Sequence, residues 1–407
     1  MAPEPAERLA VRALLADADL ARVWDAVPQA RVVGGAVRDA LLGRPVADID
    51  LATPLAPDAV AAALGRAGLR ALPTGLAHGT VTALSGGRGF EITTLRRDIA
   101  TDGRHAEVAF TDNWQADAAR RDFTFNALSL DRAGAVFDPF GGLADLRAGR
   151  VRFVGDPARR VAEDFLRVLR FFRFYARFGA QPPDAATRAA LQDGAGGLGR
   201  LSAERVWGEL KRILATPDPH AALRLMRALG VLAAVLPEAD GGRLERLAGL
   251  GLPPDPLLRL SAVQGGDPAA LAERLRLSGA EAARLAALRG PPPPADPAGL
   301  RRALADTPAD ILADRARLAG SPEQVPTILA AEVPVFPLQG RDLVAAGIKP
   351  GPAVGEALRA GRAWWLQHGC AGSAGEVLAA MRLAGGDEAV LEAQGEARRP
   401  TPGGTEP

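Results

Sequence analysis

The sequence predicts an α+β protein: a mixed α/β head built on a small sheet, followed by an all-α remainder. Three observations predict it. Short apolar runs punctuated by glycines recur through residues 28–150, the pattern of brief strands between turns. After Pro157 the period changes, and Val161, Phe165, Val168, Phe172 and Tyr175 fall at three- and four-residue steps along one helical stripe. The chain has 407 residues, more than a single hydrophobic core organises.

The elements follow in order. Residues 1–27 read as an amphipathic helical lead-in, and 30–33 as a short strand. Gly34-Gly35 then opens a helix that Gly43 and Pro45 close. Residues 47–52 read as a second strand, with Asp48 and Asp50 on one face and Ile49 and Leu51 on the other. A capped helix is expected near 57–65. A hairpin is expected from 80–84 and 90–95, turning at Ser85-Gly86-Gly87-Arg88-Gly89. Residues 126–130 and 135–137 read as further strands. Segments 201–214 and 220–229 continue the helical half, and Pro291–Pro294 makes a rigid break in it. Residues 396–407 read as a disordered tail.

Composition narrows the function classes. Hydrophobic residues at 48% and charged residues at 24% are ordinary for a globular protein. No apolar run reaches the roughly 18 residues a membrane span needs. Glu4, Glu7, Asp17 and Asp19 interrupt the N-terminus, against a signal or transit peptide. The lone Cys370 excludes an internal disulfide framework, and His78, His105, His220 and His368 show no ligand spacing. The setting reads as cytoplasmic. Net charge is only +1, but residues 147–177 hold nine Arg against Asp156, Glu163 and Asp164. So local an excess of positive charge suits a phosphate-bearing partner.

The chemistry concentrates between residues 34 and 50. Aspartates two apart on a strand share a face about 7 Å apart along the backbone. Left unpaired they repel, and a divalent cation with a taste for oxygen, such as Mg²⁺, removes the conflict. The same spacing also suits a solvated edge strand. Glu91 offers a third carboxylate if its hairpin lies alongside. Upstream, Gly34-Gly35 lies where backbone N–H groups are free to bind an anion, with Arg38 one turn further on.

Gly34-Gly35-Ala36-Val37-Arg38-Asp39 with Asp48-Ile49-Asp50-Leu51, then Arg120-Arg121-Asp122-Phe123-Thr124-Phe125-Asn126, Asp138-Pro139-Phe140-Gly141-Gly142 and Glu163-Asp164-Phe165-Leu166-Arg167, resemble the successive motifs of the tRNA nucleotidyltransferase/poly(A) polymerase family. A weaker likeness to bacterial members runs through 336–343 and 347–352. The resemblance implies a nucleotidyltransferase-type head (28–150), a helical neck with a base-selecting motif (151–215) and a tRNA-binding helical body and tail (216–395). It implies CCA addition to the tRNA 3′ end from CTP and ATP, with a poly(A) polymerase as the alternative and a noncatalytic tRNA-binding protein as a second. Leu95-Arg96-Arg97-Asp98 running into Gly103-Arg104-His105 resembles the CCA-adding loop more than the polymerases' basic segment.

By the same resemblance Asp48 and Asp50 hold Mg²⁺, with Glu91 the third acidic position. Gly35 and Arg38 contact the triphosphate, Arg121 reaches the nucleotide, and Asp122 and Thr124 lie near its ribose. Arg121 and Asp122 would equally make a local ion pair. Asp164 and Arg167, three apart on a helix, would share a face. They read either as a surface salt bridge, worth about 0.3–0.5 kcal/mol, or, by the resemblance, as a protein template for the base. Cytosine and adenine each present an amino donor beside a ring acceptor, matching Asp and Arg. Uracil and guanine reverse both positions, so one pair of side chains would accept C and A and reject U and G. Arg170 and Arg173 continue at three-residue steps and are placed near the nucleotide too. Residues 202–210 read as a structural helix. Trp364-Trp365 suits buried packing, with stacking on RNA as the other use.

Overall fold

The computed structural model describes residues 11–75, 79–101 and 106–384. The chain divides into two compact units, residues 1–248 with 253–277, and 249–252 with 278–407. The N-terminal residues of the lead-in, the loop around His105, His78 and the 396–407 tail lie outside the described residues.

The first unit opens with helices α1 (Arg12–Leu15) and α2 (Ala18–Ala26), the latter capped by Asp17. Strand β1 (Arg31–Val33) leads to α3 (Gly35–Leu41), and β2 (Asp50–Thr53) to α4 (Pro57–Arg66). Then come β3 (Arg70–Gly75), β4 (Thr80–Ser85) and β5 (Arg88–Thr94). A separate two-stranded ribbon, β6 (Arg96–Thr101) with β7 (Ala106–Phe110), precedes α5 (Trp114–Ala119). Strands β8 (Ser129–Leu130) and β9 (Val136–Phe137) complete a seven-stranded sheet of order β3-β4-β5-β2-β1-β8-β9.

One face of that sheet carries Val32, Leu51, Val81, Ile92 and Leu130. They form a core with Leu20, Trp24, Val37, Val60 and Leu64 from α2, α3 and α4. Register fixes what the opposite face shows. Arg31 lies across from Ala52, and Asp50 across from Glu91 in the one parallel pairing. Because side chains alternate, Arg31, Val33, Asp50, Ala52 and Glu91 all point away from the core.

Beyond α6 (Gly142–Arg147) the unit becomes helical: α7 (Pro157–Glu163), α8 (Leu166–Phe178), α9 (Ala185–Gly194) and α10 (Ala203–Leu214). Helix α8 buries Val168, Leu169, Phe171, Phe172 and Phe174. Its rings mesh with the segment after α5. Phe123 and Phe125 sit 5.3 and 5.1 Å from Phe174, and Phe123 sits 4.8 Å from Phe153. Such offset and edge-on aromatic pairs each add about 0.5–1.5 kcal/mol beyond simple burial. They fix residues 120–126 against the neck.

The second unit is all helix among its described residues. Leu304, Leu312, Ala313, Ala316, Val325 and Ile328 form one core, and Leu338, Leu343, Trp365, Cys370 and Val377 another. Trp365 is buried as packing requires, while half-buried Trp364 stacks on His368 at 4.0 Å. Gln339 and Asp342, in the segment with the weaker family likeness, cap a helix reciprocally.

Several expectations need correction. Residues 47–49 are not strand: β2 begins at Asp50, so Asp48 stands on the turn before it. Residues 124–126 form a 3-10 turn, shortening the expected strand to Ser129–Leu130. Strands β3, β6 and β7 escaped the sequence reading, because their exposed or charged residues blur the period-two signal. Helix α4 starts on Pro57 with no side-chain cap. The stripe from Val161 to Tyr175 belongs to two helices, since Asp164 leaves helical backbone at φ −156°, ψ 108°. No helix among the described residues is long and apolar enough to cross a membrane.

Candidate active site

The site is built where β1 ends. Gly34 has φ +66°, and a β-carbon there would come within 3.0 Å of Arg121 Nη1. Only glycine fits this turn without strain. Helix α3 then begins at Gly35, and its first-turn amides have no acceptor within the helix. Arg38, one turn in, is buried and committed: Nε and Nη2 donate to Asp39 at 2.9 and 2.8 Å, and Nη1 donates to Asn126 Oδ1 at 2.6 Å. The structure thus places Arg38 under the glycine turn, not reaching outward.

Asp48 and Asp50 are both exposed, with Ile49 buried between them. Glu91 is Asp50's register partner on β5. Among the described residues none of the three acids makes a hydrogen bond or an ion pair. Partial loss of hydration pushes the Asp50 carboxyl above the ordinary aspartate range, and the charges of Glu91 and Asp48 push the same way. Arg121 pulls it back only in part. The donor set is therefore all oxygen and unneutralised, which fits a hard divalent cation. No group of three His, Cys, Asp or Glu side chains among the described residues is close enough to share one ion. The arrangement matches an ion held by one or two carboxylates with water and phosphate oxygens supplying the rest, so Glu91 is brought alongside Asp50 without completing a three-ligand cluster.

The carboxylates at the junction with the neck are treated differently. Asp122 is buried and accepts from Phe123 N at 2.9 Å, Asn126 Nδ2 at 2.8 Å and Arg170 Nε at 2.7 Å. Burial would raise its pKa, but Arg170 and the hydrogen bonds outweigh it and hold the carboxyl low. Thr124 is fully buried and donates to Asp145 Oδ2 at 2.7 Å, so the structure does not leave it at a ribose. Arg121 pairs with Asp117 at 3.3 Å, not with Asp122 as a local pair would require.

Asp164 and Arg167 do not share a helical face, because Asp164 precedes α8. Its Oδ1 accepts from Leu166 N at 3.0 Å, and Arg205 Nη2 bridges both carboxylate oxygens at 3.3 and 3.0 Å. Arg167 turns to Glu163 at 2.6 Å, the alternative i,i+4 bridge, and to Arg160 O at 2.9 Å. Arg173 faces Glu209 at 2.7 Å, and burial lowers its pKa to about 10. Sequence reasoning gave no role to Asp39, Asn126, Asp117, Arg205 or Glu209. Asp117 was findable from its i+3 and i+4 arginines, Arg120 and Arg121. The Arg205–Asp164 contact spans 41 residues and left no local signal.

Fold and site together define a nucleotidyltransferase-type head carried on a helical neck. Residues 30–152 match the family model described as "Poly A polymerase head domain", and residues 183–241 the one described as "Probable RNA and SrmB- binding site of polymerase A". Both matches agree with the likeness of its motifs to the tRNA nucleotidyltransferase/poly(A) polymerase family. It is 44% identical over 214 residues to the mitochondrial CCA tRNA nucleotidyltransferase 1 of Danio rerio, covering 52% of this chain and 50% of that protein. It is 40% identical over 212 residues to the CCA-adding enzyme of Geobacillus stearothermophilus, covering 51% of each. The chain thus spans about half the length of the curated relatives it matches. In structure it resembles the Bacillus stearothermophilus CCA-adding enzyme in complex with CTP, with TM-score 0.70 and 26% identity, over 90% of this chain and 94% of that one. The fold is also that of a Thermotoga maritima CCA-adding enzyme complexed with tRNA, with TM-score 0.63 and 20% identity, over 94% and 97%.

Proposed function

We propose that this protein adds CMP and AMP from CTP and ATP to the 3′ end of tRNA, restoring CCA and releasing pyrophosphate. The observation that carries the reading is the pair Asp48–Asp50, free of ion pairs, with Glu91 across from Asp50 beside the glycine turn, in a head similar to CCA-adding enzymes. Asp48 and Asp50 would hold Mg²⁺, which supplies charge neutralisation for the attacking oxygen and the leaving pyrophosphate. The RNA 3′-hydroxyl oxygen forms the new bond to the α-phosphorus as the α–β bridging bond breaks, its proton passing to solvent.

Asp164 and Arg167 would read the base. Arg205 and Leu166 N hold the Asp164 carboxylate, which keeps lone pairs for an amino group. Glu163 and Arg160 O anchor Arg167 through Nη1 and the Arg120 carbonyl takes Nη2 at 3.5 Å, leaving Nε for a ring acceptor. Asp122 serves by fixing Arg170 and the 120–126 segment, with Asn126 tying that segment to Arg38. The head at 28–150 would hold metal and triphosphate, the neck at 151–215 would select the base, and residues 216–395 would carry the tRNA.

The test is single-nucleotide incorporation with purified protein, Mg²⁺, and tRNAs ending before C, CC or CCA. Stepwise C, C, A addition is expected. A long A tail from ATP alone would replace this reading with a poly(A) polymerase, and binding without incorporation would leave a noncatalytic tRNA-binding protein.

A further inference from the structure

The carboxylate-bearing face of the sheet continues past the catalytic corner into a cavity of about 570 Å³, enclosed by β1, β8, β9, α5 and α6. Its volume falls in the range that takes one small-molecule-sized group. Arg31 stands in its wall, with its guanidinium carbon 4.0 Å from the Trp114 ring centre and 3.5 Å from that of Phe137. The two rings fix the plane of the guanidinium, yet among the described residues its N–H donors have no hydrogen-bonded acceptor and no ion-pair partner. An oriented, half-buried arginine with idle donors is a ready contact for a phosphate or a base carbonyl.

The rest of the lining points to the same chemistry. Trp114, Phe137 and Pro139 offer apolar surface to the faces of a base. Both acids in the lining are already engaged. Asp117 holds Arg120 and Arg121, and Asp138 accepts from Gly142 N and Leu143 N at 2.7 and 3.0 Å. With Arg31, Arg121 and Arg147 against these two acids the lining is net positive, and Asp131, outside it, acts on Arg31 only through its charge.

Position selects the occupant. Arg31 is the register partner of Ala52, two residues from Asp50, which puts their Cα atoms on the order of 8 Å apart from strand rise and spacing. That separation is about the length of one nucleotide. Helix α5 and the segment after it also divide the first unit here: Asp117, Ala118 and Arg121 face the cavity, while Asp122 and the Arg120 carbonyl face Arg170 and Arg167 of the neck. If the incoming nucleotide takes the neck side, the cavity remains for the other substrate. We propose that this cavity receives the 3′-terminal nucleotide of the RNA being extended, with Arg31 as the residue that positions it. The inference rests on the nucleotidyl-transfer reading above.

The probe is a tRNA lacking CCA whose 3′-terminal base is 2-aminopurine, followed by fluorescence at equilibrium and in parallel by CTP incorporation. Enclosure of the base should quench it in the native protein. Arg31→Gln should weaken RNA binding and raise KM for RNA by about tenfold, the loss of one charge-assisted contact, with KM for CTP unchanged. Ala144→Trp, on an exposed position at the cavity wall, should do the same without touching Arg31. Thermal melts establish that both variants fold. Unchanged KM for RNA in both variants, or a rise in KM for CTP alone, overturns the proposal while incorporation by the native protein keeps the proposed function. Quenching that both variants abolish, in a protein that never incorporates CTP, keeps the pocket and overturns the reaction. Native protein that neither quenches nor extends overturns both.

Discussion

The acids of the first unit fall into two sets that the fold handles in opposite ways. Asp48, Asp50 and Glu91 stand together on the open face of the sheet with no arginine bound to any of them among the described residues. Where the head meets the neck Asp122 holds Arg170, and within the neck Glu163 holds Arg167, Asp164 holds Arg205 and Glu209 holds Arg173. The chain has 49 basic residues, so cations are not scarce. What differs is the use of the charge. Neck carboxylates are spent on orienting arginines, and the arginines in turn hold backbone and each other's surroundings in place. The corner formed by Asp48, Asp50 and Glu91 keeps a negative charge that Arg121 offsets only in part, which favours arrival of a cation.

Removing a member of each set should give different failures. The largest effect expected is on Asp48→Ala: transfer should fall by about 10³-fold or more, since several kcal/mol of barrier lowering go with the metal, while tRNA affinity stays near the native value. Filter binding and incorporation on the same preparation check this, and substantial remaining turnover would remove the metal role. Arg170→Ala should instead damage the fold. It leaves Asp122 buried without its cation, a loss of about 3–5 kcal/mol in denaturant unfolding.

That variant has a pH signature with a definite sign. The Asp122 carboxyl is held below the ordinary value, so its contribution is present above the unfolded pKa of about 3.9 and is lost as pH falls through the lower folded value. In Arg170→Ala the acid unfolding midpoint should move to higher pH, because the depressed titration is gone. An unmoved midpoint would show that Asp122 does not depend on Arg170.

The smallest effects should come at Asp164. Asp164→Ala should narrow the preference for CTP over UTP by about tenfold or somewhat more, the worth of a mismatched charge-assisted contact, with stability little changed. Arg205→Ala should narrow it less, since Leu166 N still holds one oxygen. Unchanged discrimination in Asp164→Ala would cancel the assignment of base reading to this residue.

These distinctions mark how far the sequence can be read. The hairpin that carries Glu91 was legible from its alternation, but its place beside Asp50 was only a condition, and the parallel direction and register were not legible. The glycine turn was legible from Gly34-Gly35 alone. The break at Asp164 was not: the stripe of Val161, Phe165, Val168 and Phe172 keeps its period across it, since two helices in line bury one side each. Nor were the long-range partners legible. Asn126 reaches Arg38 across 88 residues, and Arg170 reaches Asp122 across 48. Charge pairs that distant are chosen by packing, here by the cluster of Phe123, Phe125, Phe171 and Phe174, and composition cannot reveal which arginine meets which acid.

The short break between α7 and α8 has a consequence beyond local geometry. Phe165, the residue after Asp164, packs where a β-carbon on Gly197 would fall, its ring atoms lying 2.2 to 2.4 Å from that point. Any larger residue at 197 must push Phe165, and with it the backbone that aims Asp164. The letter written at the end of an RNA would then depend on the size of a residue whose contact is with Phe165. Fidelity in such a protein can drift, or be redesigned, through volume alone.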